Sequence, residues 1–114
     1  MKKMALKDAM AYVAPKHFDV RSMRLQGKDE TGVQHFWMGL SHFLPGGGAE
    51  MDATPVEKVY FVIEGEITVR TADEEVVLGP YDSLYIGPNE AREIVNNTNM
   101  PVSMLVVINY PDQN

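Results

Sequence analysis

The residues best suited to acid–base chemistry include a histidine in a long apolar stretch, Val33 to Leu44. Because an imidazole titrates near neutral pH, His42 is the best candidate for proton transfer. His35 lies on the same stretch, but an odd separation puts the two side chains on opposite faces of a strand. The two histidines therefore cannot coordinate the same metal ion from one regular strand. Alternation groups His42 with Met38 and Leu40, an apolar face that we expect to turn inward. The alternative is a hydrogen-bonded core histidine without a catalytic role.

Tyrosines and carboxylates supply the other candidates. A buried tyrosine hydroxyl needs a hydrogen-bonding partner, and in a cavity a ligand can be that partner, so Tyr60 and Tyr85 are candidates; core packing is the alternative. Glu50 is a candidate for moving a proton. Glu50, Asp52 and Glu57 are three carboxylates close together in the sequence. Such a set can bind a hard cation through its oxygens, or it can pair with nearby basic side chains.

These side chains must be positioned by β-structure. From Val20 onward, about eight short apolar runs are separated by turn residues at roughly ten-residue spacing, which is typical of a sandwich or barrel. The run Val33 to Leu44 is expected to stop at the glycine-rich segment 45–48. Met4 to Val13 is predicted to form a short helix or a terminal arm, and His17, just beyond it, is expected to be exposed.

Two segments resemble the motifs of the cupin family. Val59 to Val69 runs into Glu64-Gly65 and returns, as in the first motif, and it is preceded by the proline-glycine turn Leu44 to Gly48. Gly79 to Asn96 resembles the second motif. The resemblance covers residues 33 to 109 and implies an all-β fold, an antiparallel jelly-roll (double-stranded β-helix) barrel with its ligand site in the mouth.

The metal-binding positions of the motifs hold unusual residues. Counting from Gly65, the third ligand position is Lys58, and counting from Asn96, the fourth is Arg92. The region of the usual His-X-His pair, residues 50–54, contains no histidine. Metals need neutral or deprotonated donors, so the resemblance implies that the family's metal site is lost, and no cofactor is expected.

If Tyr60 and Val62 face the interior of the barrel, Lys58 shares that face and Val59 points outward. Lys58 and Arg92, with Tyr85, are then candidates for binding a substrate carboxylate or an enolate-like intermediate, while His42, Glu50 or Tyr60 moves the proton. We hypothesise a metal-independent isomerase, epimerase, lyase or decarboxylase acting on a small anionic oxo- or hydroxy-acid. Two alternatives are a non-catalytic ligand-binding barrel and a cupin whose metal is held by the carboxylates Glu50, Asp52 and Glu57.

Composition excludes several other classes. The 114 residues include no cysteine, which excludes disulfides and thiol nucleophiles, and a net charge of −6 gives no basic footprint for nucleic acid. No apolar run suits a signal peptide or a membrane span, so we expect a cytoplasmic protein. We expect an arm with the first strand in 1–32, the barrel in 33–110 and a tail in 111–114. The apolar arm and the aromatic residues Phe36, Trp37 and Phe43 predict a homodimer.

Overall fold

The computed structural model describes residues 1–111, and within them nine strands form an antiparallel sheet that curls into a nearly closed barrel. In chain order the elements are a 3-10 helix, Leu6–Asp8, then β1 Met10–Tyr12, β2 His17–Gln26, α1 Lys28–Thr31, β3 Phe36–Asp52, β4 Lys58–Glu64, β5 Ile67–Arg70, β6 Glu75–Leu78, β7 Ser83–Ile86, β8 Arg92–Val95 and β9 Val102–Asn109. The strand order is β6-β5-β8-β3-β9-β4-β7, with β2 paired to β3 and β1 paired to β2. The predicted all-β barrel is confirmed.

Strand β3 is the longest strand of the barrel, and the predicted end of this strand was wrong. We expected a stop at residues 45–48, but β3 runs through them. Its first half pairs with β9 and its second half with β8, so the glycine segment is where the strand changes partners. Gly46 has φ +81°, and a Cβ at Gly48 would overlap the Ile94 carbonyl oxygen. Glycine is therefore required for the bend and for the close approach of β8.

The second motif ends in an asparagine that fixes this bend. Asn96 is buried, and its Nδ2 donates to the carbonyls of Phe43, at 3.1 Å, and Met100, at 2.8 Å. Its backbone N–H donates to the Gly47 carbonyl at 2.8 Å, and its carbonyl accepts from the Gly46 N–H at 2.9 Å. Asn96 therefore ties the glycine segment to the loop after β8.

The N-terminal segment ends as a strand at one end of the barrel. After the three-residue 3-10 helix, β1 pairs with β2, and the Tyr12 ring packs edge-on against Trp37 with 5.6 Å between centroids. Trp37 also packs against the core, and Phe43 is part of that core. Of the three aromatic residues expected at a subunit face, two therefore point inward, and Phe36 alone is exposed. Within residues 1–111, no helix has the length and apolar character needed to cross a membrane.

Candidate functional site

The interior of the barrel contains a cavity of about 420 Å³ that is partly open to solvent. Its walls come from β2, β3, β4, β8 and β9 and from the segment after β1, and they are largely apolar and aromatic. A small number of polar side chains project into it, which is the usual composition of a small-molecule site. Those side chains include Lys58, Tyr60 and Arg92, three of the predicted site residues.

Lys58 and Arg92 are both buried on the cavity wall, with exposed fractions of 4% and 6%. Lys58 Nζ donates to Thr54 Oγ1 at 3.0 Å. Arg92 Nε donates to the Tyr60 hydroxyl at 2.7 Å, and its Nη1 donates to the Glu50 carbonyl at 3.3 Å. Neither cation takes part in the ion pairs found within residues 1–111. Two buried positive charges thus share one cavity without a carboxylate bound to either, an arrangement that is costly without a ligand.

The alternation predicted for β4 is confirmed. Lys58, Tyr60 and Val62 are buried, and Val59 is exposed. The strand is regular up to Val62, after which a register shift against β9 begins. Because the irregularity lies beyond Lys58, simple alternation was enough to place its side chain in the interior.

The electrostatics of the cavity shift two of these groups in opposite directions. Burial, with a further contribution from the charge of Arg92, lowers the pKa of Lys58. Burial raises the pKa of Tyr60, although Arg92 opposes that shift. Tyr60 is therefore a neutral hydroxyl at neutral pH. Since its oxygen accepts from Arg92, its own hydrogen is available for donation to a ligand.

Asp52 also lies on the cavity wall, but it binds a different cation. Its Oδ1 accepts from Lys16 Nζ at 3.3 Å, and this hydrogen bond lowers the pKa of the Asp52 carboxyl. Lys58 and Arg92 experience its charge only at a distance.

His17 is a cavity residue that sequence reasoning missed. It was expected to be exposed, but it begins β2, opposite Ala49, and lines the cavity. Its Nδ1 is 2.8 Å from the Pro15 carbonyl; since a carbonyl only accepts, Nδ1 carries the hydrogen, and Nε2 is left as an acceptor. Burial, and then the charges of Arg92 and Lys58, lower the pKa of His17, so its neutral form is favoured. The position of His17 follows from the turn at Lys16, whose φ is +62°, a backbone conformation that the local sequence pattern does not predict.

The expected inward orientation of His42 was wrong. The face of β3 that lines the cavity is the one with Trp37, Ser41 and Phe43. The His42 ring lies on the other side of the sheet, where Nδ1 is hydrogen-bonded to Ser103 Oγ at 2.9 Å. The apolar residues Met38 and Leu40 on the His42 face predicted an inner surface, whereas the opposite face of β3 is the one that lines the cavity.

Glu50 and Tyr85 also lie away from the cavity. The Glu50 side chain is exposed beside a shallow second depression, and its carbonyl oxygen is the atom that reaches Arg92. Tyr85 is 56% exposed on β7, opposite the exposed Val59. The structure thus brings Lys58, Tyr60 and Arg92 together with His17, and leaves Glu50, Tyr85 and His42 elsewhere.

The two residues that the motif resemblance assigns to metal positions, Lys58 and Arg92, do not suit a bound metal. Lys58 and Arg92 carry no lone pair for a metal while protonated, and a guanidinium stays protonated. In the part of the chain that is described, no group of three His, Cys, Asp or Glu side chains gathers around a point. The carboxylates proposed as alternative ligands diverge, since the Glu50 side chain is exposed and Asp52 is bound to Lys16.

An antiparallel barrel with polar side chains gathered in a central cavity is a small-molecule binding architecture. Residues 39–108 match the cupin domain family, and the chain belongs to that family. It is 41% identical over 111 residues to a β-D-galactosidase of Mycobacterium tuberculosis, covering 97% of this chain and 96% of the relative. It is 30% identical over 106 residues to the tetracenomycin polyketide synthase protein TcmJ of Streptomyces glaucescens, covering 91% and 71%.

Solved structures share the fold at lower identity. The polyketide cyclase RemF from Streptomyces resistomycificus superposes with a TM-score of 0.85 at 20% identity, covering 96% of this chain and 79% of that one. A sugar phosphate isomerase of the cupin superfamily from Silicibacter pomeroyi superposes with a TM-score of 0.80 at 21% identity, covering 96% and 76%. At sequence identities of 20% and 21%, these comparisons show a shared fold.

Proposed function

We propose that this cupin is an enzyme that moves a proton next to the carbonyl group of a small anionic oxo- or hydroxy-acid, without a metal. The observation that carries the proposal is the burial of Lys58 and Arg92 in one cavity with no carboxylate bound to either within residues 1–111. Fixed positive charges in a cavity of low dielectric stabilise negative charge that develops on substrate oxygen.

The proposed reaction assigns a role to each of four cavity side chains. The neutral Nε2 of His17 removes the proton from the carbon next to the carbonyl, and the electron pair of the C–H bond moves onto the carbonyl oxygen. Lys58 and Arg92 stabilise the resulting enolate. The Tyr60 hydroxyl donates a hydrogen bond to that oxygen. Protonation of the opposite face by solvent gives the epimer, and the His17 imidazolium releases its proton to solvent. Where the carbon that lost its proton carries a hydroxyl, transfer of the hydroxyl proton to the enolate oxygen and of the His17 proton to the former carbonyl carbon gives the isomer. Attack of the enolate on a second carbonyl gives a carbon–carbon bond, and the resulting alkoxide takes the proton from His17.

The comparisons support this chemistry at the level of reaction class. Cyclisation of a polyketide and isomerisation of a sugar phosphate both begin with proton loss next to a carbonyl, and proteins with those names share the fold of this chain. The sequence relative from a polyketide synthase points to the same class.

Solvent deuterium exchange tests the proposal without knowledge of the natural substrate. A panel of small 2-oxo and 3-oxo acids is incubated with the protein in D₂O, and loss of the proton next to the carbonyl is followed by NMR. We expect exchange above the protein-free rate for at least one compound, and its loss in Arg92→Gln. Arg21→Gln, which changes an exposed arginine of β2, is the matched control and should behave as wild type. Absence of exchange across the panel, or equal exchange in Arg92→Gln, contradicts the proposal.

A second candidate function, hydrolysis of β-D-galactosides, is favoured by the name of the 41% identical relative. Glycosidases usually use two carboxylates around an oxocarbenium-like transition state. Among the described residues, Asp52 is the carboxylate on the cavity wall, and the positive charges of Lys58 and Arg92 disfavour a cationic transition state. The geometry therefore ranks this function second.

Release of nitrophenol from nitrophenyl β-D-galactoside separates the two functions. If this chain is a galactosidase, Asp52→Asn should lower the rate at least ~100-fold, the usual scale for a general acid or base. Asp73→Asn, in an exposed turn, is the control. Our first proposal predicts no hydrolysis above background by either variant or by wild type.

A further inference from the structure

A third cation lines the cavity and has no part in the proposed reaction. The guanidinium carbon of Arg24 lies 4.4 Å from the centroid of the Trp37 ring and 5.0 Å from that of Tyr12. Its Nε is buried and has no hydrogen-bond partner among residues 1–111. The ion pairs formed in that part of the chain do not include Arg24.

The aromatic contacts still allow Arg24 to bind an anion. The Tyr12 and Trp37 rings are nearly perpendicular, so the guanidinium can lie flat against at most one of them. Its N–H groups match a carboxylate or another pair of oxygen acceptors. Because Nε is shielded even from a water-sized molecule, the terminal Nη groups are the part of Arg24 that would meet an oxyanion in the cavity. The aromatic contacts hold the side chain in place before any ligand arrives, which lowers the ordering cost of binding.

Arg24 is well separated from Lys58 across the barrel wall. In the register of the sheet, Lys58 on β4 is opposite Ile108 on β9, and Ile108 is opposite Trp37 on β3. Arg24 on β2 is opposite Gly39, two residues beyond Trp37 on β3. Three strand spacings of about 4.8 Å give roughly 14 Å along the sheet, and less across the cavity because the sheet curls. The cavity walls include the apolar residues Ile94, Met104, Val106 and Ile108.

We propose that the cavity recognises a two-ended ligand: a planar, apolar body with one oxyanion at Lys58 and Arg92 and a second one at Arg24. The inference rests on the proposed function for the first end and adds the second. It narrows the anionic acid of the proposed function to an aromatic or conjugated one that carries a second anionic group at its far end. Arg24 is then the residue that selects for the second anionic group.

Calorimetric titration with two matched probes tests this inference. One is the naphthalene dicarboxylate with its carboxylates at opposite ends, and the other is naphthoate, which lacks one carboxylate. We expect wild type to bind the dicarboxylate at least ~10-fold more tightly, the scale of one charge-assisted hydrogen bond. Arg24→Gln should bring the ratio of the two affinities to about one, and Arg21→Gln should leave the wild-type ratio.

The experiment tests the anion site at Lys58 and Arg92 separately from the anion site at Arg24. A wild-type ratio near one, or a ratio that survives in Arg24→Gln, overturns the two-ended ligand and leaves the first end standing. Naphthoate affinity that is insensitive to Arg92→Gln, or no binding of either probe, contradicts the anion site of the proposed function and the inference with it. Should Arg24→Gln fail to fold, Arg24→Lys keeps the charge but cannot form paired hydrogen bonds, and it should still lower the ratio.

Discussion

At the scale of single residues, the burial of the Lys58 ammonium group is expected to lower the free energy of unfolding. Lys58 is 4% exposed, with the Thr54 hydroxyl as its hydrogen-bond acceptor, and burial lowers its pKa. Replacing a buried charge by an apolar side chain of similar length often stabilises a fold. We therefore expect Lys58→Met to raise the free energy of unfolding by about 1 kcal/mol while weakening anion binding.

Thermal and chemical unfolding measure this change. Lys7→Met, at an exposed lysine, is the control and should shift stability by less than about 0.5 kcal/mol. A Lys58→Met variant that is clearly less stable than wild type would show that Lys58 contributes to the fold, and the argument for a functional buried cation would lose its basis.

The role proposed for His17 predicts a pH dependence of definite sign. If the neutral imidazole is the base, activity is present above its pKa and is lost as the imidazole is protonated at lower pH. Burial and the nearby cations lower that pKa from 6.5, so the acid limb of the exchange rate should lie below pH 6.5. His17→Gln should lower the rate ~100-fold or more and remove this limb. A limb centred above pH 6.5, or one that persists in His17→Gln, would assign the base to another group.

At the scale of elements, the sequence predicted what local patterns determine. Alternation placed Lys58, Tyr60 and Val62 on one face because β4 is regular over those residues. It could not say which face of β3 is inner, since that depends on how β9 and β2 wrap it, so His42 was placed inside. His17 was missed for a similar reason: its place on the cavity wall depends on the pairing of β2 with β3, which puts it opposite Ala49, far away in the sequence.

The glycine segment of β3 is a test of the fold at the same scale. A Cβ at Gly48 would overlap the Ile94 carbonyl oxygen, and moving the strands apart would break the pairing of β3 with β8. We expect Gly48→Ala to lower the free energy of unfolding by about 2–3 kcal/mol. Gly79→Ala is the control, because its Cβ would meet its nearest atom, Asp82 Oδ2, at 3.7 Å, an ordinary contact. Equal stability of the two variants, measured by denaturant titration, would contradict the observed close approach.

At the scale of the whole molecule, a chain of net charge −6 concentrates positive charge in its cavity. Consider a dication about 4 Å from the charged group of Lys58 and from that of Arg92. At an effective dielectric of about 20, its Coulomb repulsion energy with each of the two groups would be roughly 8 kcal/mol. We therefore expect protein purified without added metal to contain no stoichiometric transition metal. Elemental analysis that finds about one Fe, Mn, Ni or Zn per chain would contradict this expectation.

The homodimer expected from the sequence stays a prediction. Fewer aromatic residues are available for the dimer interface than expected, because Trp37 and Phe43 face inward. The exposed apolar residues of the N-terminal segment include Leu6, Met10 and Val13. We expect a dimer by light scattering at micromolar concentration, and Leu6→Ser with Met10→Ser should weaken it. A monomeric wild type would refute the prediction.

The central claim is that Lys58 and Arg92 supply, as fixed charges, the stabilisation of an enolate. The most direct measurement is the rate of solvent deuterium exchange catalysed by protein dialysed against EDTA, compared for wild type and Arg92→Gln. We expect wild type to keep its full rate after chelation and Arg92→Gln to fall to the protein-free rate. Exchange that disappears on chelation and returns when a divalent metal is added would contradict the claim.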